Sequence, residues 1–594
     1  MINLSTKNTG FEQMLNDRFG MFVHYGIYSE MAGSFKGKKC TGIGEWIQHN
    51  LQIPIAEYEE FGRKNFLTKP DFAKELVGYA KEAGIKYIVL TTKHHDGFCL
   101  FKSDYTNYST YDFFGRDICR ELVDECHKQG VQVGFYYSHT LDWYEKDAGG
   151  NICMYEGTPA KNRNSWDYTD DNINFDKYLY EKCFPQVKEL LTNYGDLKLI
   201  WFDFPHDITK EQSVELRNLV KSLQPNCQIN SRIAHGCDDY ECLGDNALPI
   251  APVGVNMECL VTLNDTWGYK ADDNNWKTPE ENIEILCRTL CADSSLLLNV
   301  GPMGDGSLTK ETINILKKMG EWTKRNSEAI YNGVKGNPFP SFFPWGHVST
   351  KDKNVYLYIT KADTKDITLN IGNNKVKDVT VLGCNDKPRF ECMGNQITIK
   401  LPDCNFSVPV CKVEFEQKPV FSKEPMQNGD TLSLGVLWAG KVVAGNENGE
   451  AEKLKFEKST YIPDYGKNGL AVSKNCHAYF WDDSREIMCW DAFFEEAGEY
   501  SATLVHTHLW IETQNDMCDF KLTVDGTTND VNMKEELSTY SISRTENHFN
   551  IRVCRDAGKF VISKPGKYRI LLERSKYGRS ISVTNVEFEK ISEL

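Results

Sequence analysis

Short apolar runs alternate with amphipathic segments through the first 330 or so residues, and this alternation constrains the fold more than any other feature of the chain. The apolar runs predict strands over residues 19–26, 85–94, 131–138, 197–203, 227–232, 256–263 and 295–302. Apolar residues at helical spacing predict helices over residues 71–83, 117–129, 172–194, 210–223, 279–291 and 309–326. Strands that alternate with helices in this way indicate a parallel sheet with crossover helices.

The number of repeats favours a closed (β/α)8 barrel of the TIM type, since the alternation recurs seven or eight times. The spacing is uneven, because residues 143–171 form a long polar insertion and residues 232–276 contain little helical pattern. We therefore expect an irregular barrel in which one or two helices are missing or replaced by loops. An open, doubly wound sheet is the alternative, although no G-x-G-x-x-G or P-loop motif follows the first strand.

The pattern changes after about residue 335, where Gly336-Asn337-Pro338 interrupts the helical periodicity. Runs over residues 354–359, 367–371, 378–382 and 396–399 alternate apolar and polar residues with a period of two. This pattern predicts an antiparallel β-sandwich over residues 336–418, which follows a barrel over residues 1–335. A third segment over residues 430–594 is also predicted to be all-β, with the character of a jelly-roll carbohydrate-binding module.

The chain of 594 residues is acidic, with a formal net charge of −16 and a pI near 5.4. This charge argues against nucleic acid and against an anionic membrane surface as partners, because both would be repelled. Residues 1–5 resemble no export signal, and the 20 cysteines form no C-x-x-C pair. We therefore expect a cytoplasmic protein with free, mostly buried thiols, and the sequence leaves a homo-oligomer open.

The apolar run at residues 197–202 ends in a carboxylate, Asp203, at the point where the predicted strand stops. In parallel barrels the catalytic side chains collect at these carboxyl ends of the strands. Other predicted strands end in histidine, tyrosine and arginine side chains, namely His24, Tyr25, His94, His95, Asp96, Tyr136, Tyr137, His139 and Arg232. We therefore expect one site at this end of the barrel, with Asp203 as its nucleophile.

A neutral polyol is the ligand that best uses such a set of side chains. Imidazole and phenol groups hydrogen-bond hydroxyls without carrying full charge, and Trp46 or Trp201 can cover the apolar face of a sugar ring. Hydrolysis of a glycoside also requires a second carboxyl group, for which the sequence offers Glu45, Glu241 and Glu258. A metal-dependent hydrolase that uses the histidines and Asp203 as ligands is an alternative.

Several segments of the first 335 residues resemble α-L-fucosidases of glycoside hydrolase family 29. They are the stretches at residues 18–29, Gly44-Glu45-Trp46, residues 83–87, residues 93–98, residues 134–138, Trp201-Phe202-Asp203, residues 264–270 and residues 297–306. The resemblance implies a retaining exo-hydrolase of α-L-fucosides that needs no metal and no organic cofactor. Its rivals are a protein that binds fucosylated glycans without cleaving them and the metal-dependent hydrolase.

The resemblance also implies roles for individual residues. Asp203 matches the nucleophile, and Glu258 is favoured as the acid/base, with Glu241 as the alternative. The positions that hold the fucose ring, or lie beside them, are matched by His24, Glu45, Trp46, His94, His95, Tyr137, Arg232 and Trp267. Two residues depart from the family pattern: Tyr25 replaces a tryptophan, and Phe204 replaces the glycine that usually follows the nucleophile, which narrows the space for the leaving group.

Overall fold

The structure is a computed structural model, and it describes residues 9–152, 161–252, 254–456, 470–472, 478–480, 486–507, 519–541, 551–575 and 583–594. The chain divides into two compact units. Unit 1 comprises residues up to Asn246, Val255–Asn282 and Ser295–Lys324, and unit 2 comprises Ala247–Gly254, Ile283–Ser294 and Arg325–Leu594. Residues 1–5, on which the expectation of no export signal rests, lie outside the described residues.

Unit 1 is built on eight parallel strands. In chain order they are β1 (Phe19–Val23), β2 (Tyr87–Lys93), β3 (Gln132–Ser138), β4 (Leu199–Asp203), β5 (Gln228–Ile229), β6 (Glu241–Cys242), β7 (Met257–Thr262) and β8 (Ser295–Val300). They pair in the order β5-β4-β3-β2-β1-β8-β7-β6, and a parallel bridge between Asn230 and Tyr240 joins the two ends of this sheet. The predicted barrel is confirmed.

The six predicted helices lie close to their predicted positions, and the described residues also form five α-helices before residue 115 that the sequence did not predict. The α-helices are Thr9–Asp17, Ile27–Met31, Ile47–Asn50, Ile55–Asn65, Phe72–Glu82, Thr110–Phe114, Ile118–Gln129, Phe175–Tyr178, Phe184–Asn193, Lys210–Leu223, Pro279–Cys291 and Lys310–Arg325. A π-helical turn, Leu179–Cys183, joins the two helices on either side of it. A small hairpin pairs Ser34–Phe35 with Lys38–Lys39.

The barrel is irregular where the sequence predicted irregularity. Between β5 and β7 the described residues form the 3-10 turn Ser231–Ile233 and the two-residue strand β6, and no α-helix. The strand β6 is absent from the sequence prediction because two residues are too few to give an alternation pattern. Local signals work where they are strong: the Asp117 carboxylate caps the helix Ile118–Gln129, and Gly130 ends it with a left-handed φ of 73°.

The first β segment of unit 2 is a sandwich of two antiparallel sheets. One sheet contains Gly346–Lys351, Asn354–Ile359, Val410–Phe415 and Val376–Val381, and the other contains Asp366–Asn370, Gln396–Lys400 and Arg389–Met393. Both sheets contribute to one apolar core, which includes Leu357, Ile367 and Ile397. The period-two pattern predicted this arrangement, because alternate residues of each strand face that core.

The second β segment of unit 2 also has two sheets. Its strands are Thr431–Gly435, Gly440–Val443, Glu452–Lys453, Lys455–Phe456, Leu470–Val472, Ala478–Phe480, Glu486–Phe494, Gly498–Thr507, Phe520–Val524, Thr527–Val531, Glu536–Ser541, Ile551–Ile562, Gly566–Arg574 and Val583–Ser592. Trp490 from one sheet and Leu504 from the other lie in a shared core, where the Trp490 indole donates to the Gly435 carbonyl at 3.0 Å. The two all-β segments are confirmed, whereas the domain boundaries at residues 335, 418 and 430 stay predictions.

Two further findings concern the cysteines and the helices of the described residues. Every cysteine in the described ranges is free, and most are buried, as the scattered cysteine pattern predicted. Among the described residues, no helix combines the length and the apolar character that a membrane crossing requires.

Candidate active site

Asp203 ends β4 at the rim formed by the carboxyl ends of the barrel strands. Arg232 Nη1 donates to Asp203 Oδ1 at 2.8 Å, and the Tyr136 hydroxyl donates to Oδ2 at 2.9 Å. The backbone N–H of Phe204 also donates to Oδ1, at 2.8 Å. Burial by itself raises the pKa of Asp203, but the charge and hydrogen bonds of Arg232 and Tyr136 outweigh burial and hold that pKa below its ordinary value.

Arg232 brings a second carboxylate, Asp245, to the same place. Its Nη2 atom donates to Asp245 Oδ1, while its Nη1 atom holds Asp203. Because both carboxylates contact one guanidinium, the contacting oxygens lie no more than roughly 7–8 Å apart, below the ~9.5 Å maximum for the carboxyl pairs of glycosidases. The Asp245 side chain is 45% exposed, so it faces solvent at the rim, whereas Asp203 is 15% exposed.

Sequence reasoning missed Asp245. It lies in the Gly244-Asp245-Asn246 segment after β6, and a two-residue strand gave no sign that a barrel strand ends there. The signal that could have found it is the turn-forming Gly-Asp-Asn sequence itself, which follows a short apolar stretch.

Three neutral histidines lie around Asp203: His24 directly follows β1, and His94 and His95 directly follow β2. His24 shares a hydrogen bond of 2.7 Å between its Nδ1 and Asn299 Oδ1, and His95 shares one of 2.7 Å between its Nδ1 and the Ser138 hydroxyl. Burial lowers the pKa of His24 to about 4 and lowers the pKa values of His94 and His95 well below the ordinary imidazole value. Neutral imidazoles can donate to and accept from sugar hydroxyls.

The three histidine rings lie close to Asp203 and to one another. His95 Nε2 lies 3.8 Å from Asp203 Oδ2, and the ring centroids of His94 and His95 are 4.1 Å apart. The buried Nδ1 atom of His94 has no hydrogen-bond partner among the described residues. A buried polar atom of this kind usually has a partner, which makes His94 well suited to bind a hydroxyl of a ligand.

Aromatic side chains surround the polar groups. The Trp46 ring lies 5.4 Å from the His95 ring and 6.3 Å from the Phe204 ring, and the Trp267 ring lies 5.3 Å from the His24 ring. Trp201 is almost wholly buried, and its ring centroid lies 4.9 Å from the Arg232 guanidinium. Trp46 and Trp267 are therefore at the predicted site, whereas Trp201 supports Arg232 and presents no open face to a sugar.

Glu45 is a buried carboxyl beside these groups. Its Oε2 atom accepts a hydrogen bond of 2.9 Å from the backbone N–H of Gly268 and one of 3.1 Å from the Thr266 hydroxyl. Burial raises the pKa of Glu45 to about 7, and the charge of Asp245 contributes to this rise. The predicted binding residue Glu45 is thus close enough to Asp245 for the two carboxyl groups to interact.

Two predicted binding residues point elsewhere. Tyr25 turns away from the rim, where its hydroxyl donates to the Gly304 carbonyl at 2.9 Å and its ring stacks on Phe72. Successive residues of a strand face opposite sides, so Tyr136 faces the barrel interior and Tyr137 faces out. The Tyr137 hydroxyl donates to Gln186 Oε1 in the surrounding helix layer at 2.8 Å. Tyr136 therefore takes the place that the sequence gave to Tyr137.

Glu258, the favoured acid/base, lies deep in the barrel interior. It is the second residue of β7, and it accepts hydrogen bonds from the Tyr87 hydroxyl at 2.8 Å, the Trp201 indole at 3.1 Å and the Tyr240 hydroxyl at 3.2 Å. Tyr87 is the first residue of β2, so Glu258 is near the amino ends of the strands, whereas Asp203 is at the carboxyl ends. The side chain is fully buried and does not reach the rim.

Glu241, the alternative acid/base, also points away from the site. Its neighbours along β6, Tyr240 and Cys242, pack in the barrel interior, so the Glu241 side chain faces the other side of the sheet. There its Oε1 atom accepts a hydrogen bond of 3.0 Å from Ser231. The structure thus brings neither predicted glutamate to Asp203, and Asp245 is the carboxyl that it places there.

The arrangement gives little support to a metal-dependent hydrolase. Among the described residues, no group of three or more His, Cys, Asp or Glu side chains is arranged to hold a metal ion. That alternative uses His94, His95 and Asp203 as ligands, and two of these three side chains, His95 and Asp203, are hydrogen-bonded to protein groups.

A parallel barrel with two adjacent carboxylates, neutral histidines and aromatic walls at one rim is the arrangement of a glycoside hydrolase. A sequence model of the family described as Alpha-L-fucosidase matches residues 4–328, which is more than half of the chain. The chain therefore belongs to the α-L-fucosidase family, whose members hydrolyse fucosides.

Relatives and solved structures agree with this assignment. The plasma α-L-fucosidase of Homo sapiens is 27% identical over 430 residues, which cover 66% of this chain and 86% of the relative. The α-L-fucosidase AlfC from Lactobacillus casei, solved in complex with its α-L-fucose product, is 37% identical and covers 54% of this chain and 99% of its own, with a TM-score of 0.51. The α-L-fucosidase from Vibrio sp. strain EJY3 has a similar fold over 98% of both chains, with a TM-score of 0.80 and 23% identity.

Proposed function

We propose that this protein is a retaining exo-α-L-fucosidase that releases terminal L-fucose from oligosaccharides or glycoconjugates by double displacement. The observation that carries the proposal is the pair of carboxyl groups, Asp203 and Asp245, bound by the one guanidinium of Arg232 at the rim of the barrel. The fucose product in the related AlfC structure supports α-L-fucose as the sugar that this rim binds.

In the first step a carboxylate oxygen of Asp203 attacks the anomeric carbon of the fucosyl residue. The bond between that carbon and the leaving oxygen breaks, and Asp245 gives its proton to the leaving oxygen, so that the leaving group departs as a neutral alcohol. Asp203 suits the role of nucleophile because its lowered pKa keeps it ionised at neutral pH.

In the second step Asp245, now a carboxylate, takes a proton from a water molecule. The water oxygen attacks the anomeric carbon of the fucosyl ester, and the bond between that carbon and Asp203 breaks. This step restores the Asp203 carboxylate and the Asp245 acid, and it releases L-fucose with the α configuration of the substrate. Two inversions at one carbon give net retention.

Asp245 is a better acid/base than either glutamate because it is exposed at the rim, where a leaving group and a water molecule must pass. Glu258 is sealed in the barrel interior by three hydrogen bonds, and Glu241 faces the outer side of its strand. We propose that His24, His94 and His95 bind the fucose hydroxyls, with Trp46 and Trp267 beside the ring.

Proton NMR of the first sugar released from 4-nitrophenyl α-L-fucoside tests the proposal. We expect the α anomer of L-fucose to appear first and the β anomer to grow afterwards as mutarotation proceeds. Initial release of the β anomer would overturn the retaining mechanism, and no release at all would support the alternative of a protein that only binds fucosylated glycans. Asp203→Ala, as the control, should abolish release.

A comparison of leaving groups tests the role of Asp245. General acids matter most for poor leaving groups, so Asp245→Asn should lower kcat/KM for methyl α-L-fucoside about 10²-fold more than for the 4-nitrophenyl fucoside. Glu258→Gln and Glu241→Gln serve as matched controls, and both should keep the wild-type ratio of the two substrates. If Glu258→Gln changes that ratio and Asp245→Asn does not, the assignment is wrong.

A further inference from the structure

Unit 2 contains a cleft of about 710 Å³ that is separate from the catalytic rim. One wall is a sheet of the second β segment, and a second wall includes the end of the helix Pro279–Cys291 and the segment at residues 342–347. The volume lies within the ~300–1,000 Å³ of typical small-ligand pockets. A cleft of this size can enclose part of an oligosaccharide.

The sheet that forms the first wall presents polar side chains to the cleft. Ser433 and Thr503 lie on either side of Glu587 on neighbouring strands, in register with it, and all three residues line the cleft. Ser433 is only 6% exposed, and its hydroxyl has no hydrogen-bond partner among the described residues. A buried hydroxyl without a protein partner is suited to bond with a ligand that enters the cleft.

An aromatic ring and an arginine extend this wall. Tyr540 and Arg552 lie opposite each other on two adjacent antiparallel strands, and both residues line the cleft. A tyrosine hydroxyl is protonated at neutral pH, so that of Tyr540 can donate to a ligand. The Tyr540 residue is 46% exposed, which leaves part of its ring open to a ligand.

The second wall adds groups of both charge signs. Arg288 lines the cleft while its Nε donates to the Pro249 carbonyl at 2.8 Å, and Glu284 lies one helical turn before it. Phe342 lines the same wall, with its ring 5.1 Å from that of Trp438. The basic lining residues are Arg288, Lys361 and Arg552, and the acidic ones are Glu284, Glu587 and Glu589.

We propose that this cleft is an accessory binding site for a neutral oligosaccharide. The lining carries three basic and three acidic side chains, so it favours neither an anion nor a cation. Hydroxyl, carboxylate and guanidinium groups that flank an aromatic ring form the pattern that recognises neutral sugars. The site shares no residue with the catalytic rim, and its existence does not depend on the mechanism proposed for that rim.

Isothermal titration of the full-length protein with fucose-free probes tests the proposal, because such probes are not fucosidase substrates. We expect lactose, N-acetyllactosamine or lacto-N-tetraose to bind, and Tyr540→Ala to raise the Kd about tenfold. Ser433→Ala should raise the Kd by a smaller factor. Turnover of 4-nitrophenyl α-L-fucoside should stay at the wild-type level in both variants, which separates this test from that of the proposed function.

Two controls exclude a non-specific effect of removing an exposed tyrosine and a loss of folding in the variants. Tyr105→Ala removes a comparably exposed tyrosine from unit 1, and it should leave the Kd of the probe unchanged. The melting temperatures of all variants should lie close to that of the wild type. Three results would overturn the proposal: binding of none of the three probes, a Kd that Tyr540→Ala and Ser433→Ala leave unchanged, or inorganic phosphate binding more tightly than the sugars.

Discussion

Arg232 performs two electrostatic tasks with one side chain. It stabilises the charge of Asp203, and it fixes the distance between Asp203 and Asp245. A guanidinium suits this position because its planar fork offers donors in two directions, which an ammonium group on a flexible chain does not. The ring of Trp201 beneath it restrains the guanidinium plane.

Phe204 occupies a backbone conformation that suits glycine. Its φ of 56° is left-handed, a conformation that glycine adopts without the steric cost of a Cβ atom. The Phe204 ring lies 5.6 Å from that of His95 and 6.3 Å from that of Trp46, and the residue is buried. Side-chain packing therefore offsets a strained backbone at this position.

Replacement of Phe204 by two small residues separates these effects. Both variants lose the packing, at about 3–5 kcal/mol, but Phe204→Gly also relieves about 1–2 kcal/mol of left-handed strain that Phe204→Ala retains. We therefore expect both variants to be less stable than the wild type, and the glycine variant to be more stable than the alanine variant. Urea unfolding checks the order, and an alanine variant as stable as the glycine variant would contradict the strain.

A buried ion triad ties three elements together behind the catalytic rim. Asp142 Oδ2 accepts from Lys93 Nζ at 2.8 Å and lies 3.1 Å from Lys182 Nζ. Lys93 ends β2 directly before His94, and Lys182 lies in the π-helical turn Leu179–Cys183. Burial by itself raises the pKa of Asp142, but the charges of Lys182 and Lys93 outweigh it and lower that pKa.

The triad predicts unequal costs for its members. Asp142→Asn removes the carboxylate that Lys93 and Lys182 share, so that Lys93 loses its ion pair whereas Lys182 keeps Glu145, and we expect it to destabilise the protein by about 3–5 kcal/mol. Lys93→Met leaves Asp142 paired with Lys182, and it should cost clearly less. The free energies of unfolding in urea at pH 7 give the comparison, with the exposed pair variant Asp403→Asn as a control near zero. Equal costs for Asp142→Asn and Lys93→Met would refute this view of the triad.

The sequence predicted elements better than side-chain directions. Apolar runs of five to seven residues located β1 to β4, whereas the two-residue strand β6 left no pattern to recognise. Barrel strands are buried on both faces, so their apolar runs do not distinguish inward from outward residues. This ambiguity explains why both Tyr136 and Tyr137 were predicted at the site although only Tyr136 faces the barrel interior, and why the family resemblance could suggest Glu258 and give no sign of Asp245.

At the scale of the whole molecule, three buried carboxyl groups of unit 1 share one property. Burial raises the pKa values of Glu45, Asp96 and Glu258 to about 7. Each of these groups is protonated in the folded protein at pH values where it ionises in the unfolded chain. At these pH values the folded protein therefore binds more protons than the unfolded chain. The contribution of these groups to the free energy of unfolding is fully present below their unfolded pKa values near 4 and is lost as the pH rises through their folded pKa values.

We therefore expect the free energy of unfolding to fall as the pH rises from about 4.5 to 7, because the unfolded chain binds fewer protons than the folded protein in this range. Above pH 7 these three groups should cause no further change.

For Glu258 alone, a rise of the pKa from 4.5 to about 7 corresponds to about 3 kcal/mol at ~1.4 kcal/mol per pKa unit. Glu258→Gln should remove this part of the slope, because the amide resembles the protonated acid and the Tyr87 hydroxyl can turn to accept from it. Urea unfolding at several pH values from 5 to 7.5 measures the slope, and the exposed Glu311→Gln should leave it unchanged. If Glu258→Gln retains the wild-type slope, Glu258 is ionised in the folded barrel and the Lys198 charge beneath it outweighs its burial.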